Sequence, residues 1–284
     1  MCGSSESHDI AMEYDIAIAR CRVCRLIFTR TPVRDSQSHY AVSRATIETK
    51  YGRILGGAEL HPRTPNYTEH LYLLEAITEG RSLLDVGTHC GFFLDAARRR
   101  GWRVSGVEPS PVTSAIARER FGLDVRTGTL DGVALPPANF DVVTLVDVFE
   151  HIGAPRAVLR RCGALLRPGG RLFIKVPNAR YAFAKYLVMR PLGLVDDAFD
   201  AREHLVHYTP GTLRRMLRTE GFQVEIMRVP SPIQVGSYWR RVARAAGPGL
   251  AKRLPRGFEL PLATDLCVVA RPWPGPRAPS ARSV

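Results

Sequence analysis

The sequence predicts an α/β protein with a doubly wound, mostly parallel sheet, and two observations lead to this prediction. Residues 83–110, LLDVGTHCGFFLDAARRRGWRVSGVEPS, have the pattern of a strand, a glycine turn, a helix and a second strand. Short apolar runs of strand length then alternate with helix-like segments as far as residue 229. A chain of 284 residues with 45% apolar side chains can bury the core of such a fold and one small appendage.

The first strand and helix enclose a turn suited to a nucleotide. The strand is the apolar run at residues 83–86, and Gly87 and Gly91 bracket the turn into a helix at residues 92–100. Glycines let a backbone approach a ligand closely, and the start of a helix offers unpaired N–H groups. The second strand ends in Glu108, and an acid there can accept both hydroxyls of a ribose. This unit therefore predicts a nucleotide-binding site.

Similar local signals define the remaining elements. Proline in the first turn and glycine after the last residue predict the helix Pro111–Phe121. An unbroken apolar run predicts the strand Phe140–Val146. The sequence also predicts helices at 67–79, 155–166 and 211–220, and strands at 123–126, 171–176, 222–229 and 265–270.

Glycine spacing decides which nucleotide fits. The dinucleotide fingerprint G-x-G-x-x-G would need glycines where this chain has His89 and Phe92. The run from Asp85 to Gly91 instead resembles the D/E-x-G-x-G-x-G motif of class I S-adenosylmethionine (SAM)-dependent methyltransferases. His89 replaces the middle glycine, and histidine is among the residues enriched at positive φ. The resemblance implies SAM as cofactor, bound by Asp85, Gly87, Thr88, His89, Gly91, Phe92, Glu108, Pro109, Thr129, Leu130 and Asp147.

Later segments strengthen this resemblance. The run DVFEHI at 147–152 resembles the D-V-L-E-H-[VI] signature of methyltransferases similar to the ubiquinone-biosynthesis O-methyltransferases, and LLRPGGRL at 165–172 follows the same pattern. The resemblance implies a Rossmann-like seven-stranded sheet in the order 3-2-1-4-5-7-6, with the last strand antiparallel. Thr129 stands where the family usually places an acid against adenine, so backbone groups and Leu130 are expected to contribute more there.

The pair Glu150-His151 follows the fourth core strand, where an open α/β sheet binds its ligands. His151 can act as the base for a substrate hydroxyl. Alternatively, Asp147, Glu150 and His151 hold a divalent cation that orients and acidifies a phenolic substrate, as the resemblance permits. A third interpretation is that Glu150 and His151 only fix the loop. His207, or His204, in a segment resembling the family's H-x-x-x-[YF]-T-P is a further candidate for substrate contact.

The N-terminal segment carries a C-x-x-C knuckle, Cys21 and Cys24, with Cys2 before it. Many methyltransferases resembling this one have a zinc ribbon here, so Cys2, Cys21 and Cys24 are candidate zinc ligands. Two explanations account for the missing fourth ligand: either the true start of the protein lies a few residues upstream, or His8 supplies the ligand. The alternative is a decayed knuckle with partly buried thiols.

The sequence divides into a possible degenerate zinc ribbon (1–35), a helical cap (36–80), a methyltransferase domain (81–272) and a disordered tail (273–284). The domain carries two insertions. Residues 179–208 are expected to be irregular, either covering the substrate or packing on the surface. The basic stretch 231–260 either touches an anionic substrate or a membrane surface or is a solvated excursion. The resemblance implies that the cap folds over the cofactor and places an aromatic residue near its methyl group, with Tyr40, Tyr51 and Tyr67 as candidates.

The net charge of +13 invites a nucleic-acid partner, but only four of the 40 basic residues are lysine. Such a skew, with arginines spread over helix faces, argues for compositional bias and against nucleic-acid binding. The sequence has neither an apolar run of spanning length nor a secretory signal, which predicts a cytoplasmic protein. It leaves the oligomeric state open.

Together these features predict transfer of the SAM methyl group to a small-molecule acceptor, most readily a hydroxyl oxygen. The alternatives are a sugar or other C- or N-methyltransferase, and a non-catalytic zinc-ribbon adaptor that has lost SAM binding. The sequence does not identify the acceptor.

Overall fold

The computed structural model describes residues 2–30, 42–193, 195–230 and 264–273. Within these ranges the strands, in chain order, are β1 (Ser7–Glu13), β2 (Ile16–Cys21), β3 (Ile27–Thr29), β4 (Ser82–Val86), β5 (Arg103–Glu108), β6 (Val125–Thr127), β7 (Phe140–Val146), β8 (Leu166–Pro177), β9 (Val206–His207), β10 (Phe222–Arg228) and β11 (Asp265–Pro272). The helices are α1 (Arg44–Leu55), α2 (Thr64–Ile77), α3 (Phe92–Arg99), α4 (Pro111–Phe121), α5 (Pro155–Leu165), α6 (Ala179–Val188) and α7 (Pro210–Thr219), with a 3-10 turn at Phe149–His151.

The main sheet has seven strands in the order β6-β5-β4-β7-β8-β11-β10. The strands from β6 to β8 are parallel, and β11 is antiparallel to both β8 and β10. Numbered along the domain, this is 3-2-1-4-5-7-6 with the last strand antiparallel. The predicted doubly wound fold is therefore confirmed, including its strand order.

Helices cover both faces of this sheet because neighbouring strand residues point to opposite sides. Leu83 packs with Leu71 of α2 and Leu94 of α3, whereas its neighbour Leu84 packs with Leu159 of α5 and Leu213 of α7. Burying both faces explains why the central strands are apolar along their length. In the part of the chain that the structure describes, no helix has the length and apolarity needed to cross a membrane.

The N-terminal strands do not form a separate appendage. They make a second, antiparallel sheet in the order β1-β2-β3-β9, whose last strand comes from residues 206–207. Ile27 is opposite His207 and Phe28 is opposite Val206 in this pairing. The N-terminal segment is thus fixed to the region that follows the fifth core strand.

The first insertion is more regular than expected. Its first part forms α6, where the Asn178 side chain accepts a hydrogen bond from Arg180 N at 3.1 Å and so caps the helix. The prediction of an irregular segment was therefore wrong for residues 179–188. The second insertion, at 231–260, and the tail beyond residue 273 lie outside the described residues.

Candidate active site

The turn after β4 has the unusual backbone that the sequence demands. Gly87, His89 and Gly91 have φ values of 75°, 52° and 85°, so all three are left-handed. A histidine tolerates this conformation with some strain, whereas glycine adopts it freely. The middle position of the motif therefore keeps a glycine-like conformation although it carries an imidazole.

The two glycines also have no room for a side chain. A Cβ at Gly87 would lie 2.5 Å from Cγ2 of Val148, and one at Gly91 would lie 2.5 Å from Cδ1 of Leu123. Gly87 thus lies against the segment that follows β7. This contact brings the turn after β4 close to residues 147–151.

Glu108 organises the far side of the same turn. The residue is only 6% exposed, and its two carboxylate oxygens accept hydrogen bonds from the backbone N–H groups of His89 at 2.8 Å and Ser110 at 2.9 Å. These bonds hold the carboxylate at the end of β5, directly beside the glycine turn. Pro109, between Glu108 and Ser110, is half-buried.

Asp85 is buried beneath the turn, and Thr144 Oγ1 donates a hydrogen bond to its Oδ1 at 2.6 Å. Burial raises the pKa of Asp85 from 3.8 to about 7, although hydrogen bonding opposes this rise. When the pKa of a carboxyl group is higher in the folded protein than in the unfolded protein, the group contributes its full stabilisation below the unfolded-state pKa. This contribution is lost as the pH rises through the folded-state pKa.

We therefore expect the free energy of unfolding of the ligand-free protein to fall between about pH 4 and pH 7. The slope from this one group is at most about 1.4 kcal/mol per pH unit. Urea titrations across this pH range measure it. Asp85→Asn should flatten the slope, whereas Asp124→Asn, at an exposed aspartate, should preserve it; an unchanged slope in Asp85→Asn contradicts this account.

Aromatic rings from the cap cover the turn. The ring of Tyr51 in α1 packs edge-on to His89 at 5.7 Å between centroids, and His61 stacks on Phe92 at 4.6 Å and on Tyr67 at 5.6 Å. Burial lowers the pKa of His61 to about 4, so its imidazole is neutral at physiological pH. Of the three predicted cap tyrosines, Tyr51 thus lies over the turn, Tyr67 packs against His61 and Phe93, and Tyr40 lies outside the described residues.

The loop after β6 offers less to a ligand than its neighbours. The Thr129 side chain is exposed, and its carbonyl accepts hydrogen bonds from the N–H groups of Gly132 and Val133. Leu130 is 4% exposed and belongs to the hydrophobic core. In the turn after β4, Thr88, three residues after Asp85, is also buried.

Asp147 lies apart from the pair Glu150-His151. Its carboxylate forms ion pairs with Lys175 and Arg63, and Lys175 also contacts Asp265 at 2.7 Å. Burial alone would raise the pKa of Asp147, but Lys175 and Arg63 hold it below its ordinary value. The predicted cation set of Asp147, Glu150 and His151 is therefore wrong, because the Asp147 carboxylate is directed into another charge cluster.

The partner that joins Glu150 and His151 is His204. One potential ligand atom from each of these three residues lies within 4.8 Å of the other two. His151 Nδ1 is 2.8 Å from the carbonyl oxygen of Glu203, and His204 Nδ1 is 3.2 Å from that of Phe199. Because a carbonyl only accepts, we assign the proton to Nδ1 in both rings, which leaves Nε2 as the basic nitrogen of each.

A polar cavity of about 170 Å³ opens beside this group. It lies at the carboxyl ends of β7 and β8, and its wall includes Glu150, Lys185, Asp197, Asp200, His204 and His207. Glu150 is 2% exposed, and its Oε2 is buried without a hydrogen-bond partner among the described residues. Burial, with a smaller contribution from Asp147, raises the pKa of Glu150 to about 8.

His207 is in the wall of the cavity but is held by the N-terminal sheet. Its Nε2 lies 3.2 Å from Oγ1 of Thr29. Burial lowers the pKa of His207 to about 3, which makes it a weak base at neutral pH. This position suits contact with a ligand better than proton transfer.

Sequence reasoning missed His61, Arg63 and Lys175 as neighbours of the site. Lys175 had a usable signal, since a lysine inside the apolar strand LFIKV requires a charged partner. His61 and Arg63 lie in a polar stretch before α2 with no periodicity or motif. Only the tertiary fold brings them over the turn.

The fold and this turn define the class of protein. The model of the methyltransferase domain family matches residues 63–225, which is more than half of the chain. The chain therefore belongs to the methyltransferase domain family. Its seven-stranded sheet, with the glycine turn after the first strand, is the class I arrangement.

Part of the chain is similar in sequence to two named enzymes. The chain is 32% identical over 136 residues to the ubiquinone biosynthesis O-methyltransferase of Stutzerimonas stutzeri (strain A1501), covering 44% of this chain and 56% of the relative. It is 31% identical over 160 residues to the enzyme of the same name from Xanthomonas euvesicatoria pv. vesicatoria (strain 85-10), covering 51% and 64%. The chain thus spans little more than half the length of these relatives.

Solved structures share the fold at lower identity. The 1,6-didemethyltoxoflavin-N1-methyltransferase of Burkholderia thailandensis, with bound 1,6-didemethyltoxoflavin and S-adenosylhomocysteine (SAH), has a TM-score of 0.52 at 19% identity, covering 95% of this chain and 100% of that one. Magnesium protoporphyrin IX methyltransferase from Synechocystis PCC 6803, with bound SAH, has a TM-score of 0.56 at 14% identity, covering 83% and 99%. These likenesses show the fold.

Proposed function

We propose that this protein transfers the methyl group of SAM to a hydroxyl oxygen of a small-molecule acceptor. The single observation that carries the proposal is a polar cavity lined by Glu150 and His204, with His151 next to these two residues, beside the segment that touches the glycine turn. Membership of the methyltransferase family supports the cofactor, and the named relatives, which are O-methyltransferases, support oxygen as the acceptor atom.

SAM fits the turn between β4 and α3. The left-handed backbone at Gly87, His89 and Gly91 turns the chain into the start of α3, whose first N–H groups can face a ligand under the aromatic rings of the cap. Glu108 is fixed where it can accept from two ribose hydroxyls. Among the predicted cofactor contacts, we assign Asp85, Gly87, Thr88, His89, Gly91, Phe92, Glu108 and Pro109 to the nucleoside and methionine portions. Asp147, Thr129 and Leu130 we place at the margin, because their side chains are engaged elsewhere or exposed.

The acceptor hydroxyl then lies in the cavity and transfers its proton to His151. The methyl group of SAM is already activated by its positive sulfur, so orientation of the two reactants supplies most of the acceleration, on the order of 7–11 kcal/mol. His151 is suited to the proton because its Nδ1 hydrogen bond to Glu203 O fixes the ring with Nε2 as the basic nitrogen. Glu150, with its raised pKa, supplies a neutral hydrogen-bond donor at the same wall.

A second candidate mechanism uses a divalent cation. Two imidazole nitrogens and one carboxylate oxygen within 4.8 Å of one another form a donor set that fits such an ion, with Glu150, His151 and His204 as ligands. The ion would lower the pKa of the bound acceptor hydroxyl. Chelation separates the two mechanisms: activity that survives EDTA favours His151 as the base, and activity that is lost and restored by Zn²⁺, Mn²⁺ or Mg²⁺ favours the cation.

The acceptor class is tested by measuring SAH release from SAM with matched acceptors. We expect release with catechol and simple phenols, and none with catechol dimethyl ether, which has the same ring but no free hydroxyl. Primary amines of similar size should be inert. Faster release with amines would contradict oxygen as the acceptor atom. A cytoplasmic location stays a prediction.

A further inference from the structure

Three of the six cysteines meet at one end of the N-terminal sheet. Cys21 ends β2, Cys24 lies in the turn that follows, and Cys2 lies before β1. The three sulfur atoms lie within 4.8 Å of one another, and those of Cys2 and Cys21 are 3.5 Å apart. The other cysteines are buried singly in the core, at Cys90, Cys162 and Cys267.

This spacing matches a zinc–thiolate site. Zinc–sulfur bonds of about 2.3 Å in a tetrahedron place the sulfurs about 3.8 Å apart. The backbone N–H of Cys24 also donates to Cys21 Sγ at 3.4 Å, and such contacts orient metal-binding thiolates. We propose that Cys2, Cys21 and Cys24 together bind one Zn²⁺ ion. His8 is not part of the group, so it is not the fourth ligand that the sequence suggested.

A small cavity next to the cysteine group would accommodate a fourth ligand. This space, about 90 Å³, borders Cys2 and Cys24 and is also lined by Arg156, Arg215 and Met216. It has room for a water molecule as the fourth ligand. Zinc with three thiolates carries one net negative charge, which the guanidinium of Arg215 at the cavity wall complements, whereas Arg156 is paired with Glu220. Arg215 already contacts this turn, donating to the Cys24 carbonyl at 3.4 Å.

The zinc site also holds one wall of the acceptor cavity, a role that rests on the proposed function. The strand that follows the knuckle, β3, pairs with β9, and Thr29 Oγ1 donates to the carbonyl of His204 at 2.6 Å. On the other edge of the sheet, buried Glu13 accepts from the N–H groups of Ala198 at 2.6 Å and Phe199 at 3.1 Å. Fixing the N-terminal sheet therefore fixes residues 198–207.

Metal analysis of the full chain, purified under reducing conditions without chelator, tests the ion itself. We expect about one zinc per chain in the wild type, loss of it in Cys21→Ser and in Cys24→Ser, and full retention in Cys162→Ala, a cysteine remote from the group. Wild-type protein without zinc, or variants that keep it, would overturn the site. So would a Cys2–Cys21 disulfide detected by mass spectrometry in the purified protein.

Hydrogen exchange on the wild type tests the positioning role without any variant. After removal of zinc by a chelator, the amides of Ala198 and Phe199 should exchange at least about tenfold faster, while the amide of His89 keeps its rate. Restoring zinc should restore protection. Unchanged exchange at Ala198 and Phe199 would overturn the positioning role. Neither measurement uses SAM, so a failure of the proposed methyl transfer leaves both results interpretable.

Discussion

Glu108→Ala is expected to weaken SAM and SAH binding by at least about 100-fold, the largest effect of any single substitution in the cofactor site. The substitution would remove the two charge-assisted hydrogen bonds that we propose between Glu108 and the ribose, each worth about 1.5–3 kcal/mol. It also releases the N–H groups of His89 and Ser110, which the carboxylate orders around the turn. Isothermal titration with SAH measures the change directly.

Glu225→Ala is the matched control for this substitution. Glu225 is a glutamate of the same sheet, on the edge strand β10, where it pairs with Arg171 at 2.5 Å. Its removal should leave SAH affinity within about twofold of the wild type. Equal affinity in Glu108→Ala and the wild type would show that the ribose is not held at the end of β5.

His151→Ala is expected to reduce the rate of methyl transfer to a hydroxyl acceptor by about 10²–10⁴-fold while SAH affinity stays unchanged. The loss follows from removing the base, because SAM itself needs no proton transfer to be activated. Glu150→Gln is the informative companion, since glutamine keeps the shape and the neutral donor that a carboxyl with a raised pKa presents.

If His151 is the base, Glu150→Gln should therefore reduce the rate of methyl transfer far less than His151→Ala does. Equal and large losses in both variants, with recovery at high Mg²⁺ concentration, would instead identify Glu150 and His151 as cation ligands. Pre-steady-state quench measurements with saturating SAM separate the chemical step from product release. A His151→Ala variant with wild-type turnover would remove this residue from the mechanism.

Local signals predicted the elements that stand on strong apolar runs and clear helix ends. The helix Pro111–Phe121 and the strand Phe140–Val146 have the same bounds in the structure as in the sequence prediction. The first has proline at its start and a left-handed glycine, Gly122, at its end, and the second is buried at nearly every position. The positive φ of His89 agrees with its place at the middle glycine of the motif that the turn resembles, since histidine is among the residues enriched at positive φ.

Side-chain grouping in the site could not be predicted from neighbouring positions in the chain. Asp147 and Glu150 are three residues apart, yet Asp147 adopts a left-handed backbone with φ 56° and its carboxylate meets Lys175. Glu150 lies in the 3-10 turn that follows and faces His204. Only the path of residues 199–207, which the pairing of β3 with β9 sets, brings that histidine into place.

The same limit applies to the N-terminal segment. The C-x-x-C spacing marked Cys21 and Cys24, but a sequence motif does not show that the edge of this sheet joins residues 206–207. Pairing between strands so distant in the chain depends on tertiary packing and leaves no periodicity in either segment. The N-terminal segment, expected from sequence to be a zinc-ribbon-like appendage, instead pairs through β3 with β9, whose residues Val206 and His207 line the candidate acceptor cavity.

The central claim, that the glycine turn binds SAM, is tested most directly by a thermal-shift titration with SAM, SAH, NAD and NADP side by side. Ligand at 100 times its dissociation constant adds about 2.7 kcal/mol to the free energy of unfolding, which raises Tm by a few degrees for a chain of this size. We predict such a shift with SAM and SAH and none with the dinucleotides. A shift with NAD or NADP alone, or no shift with any of the four in folded protein, would contradict SAM binding.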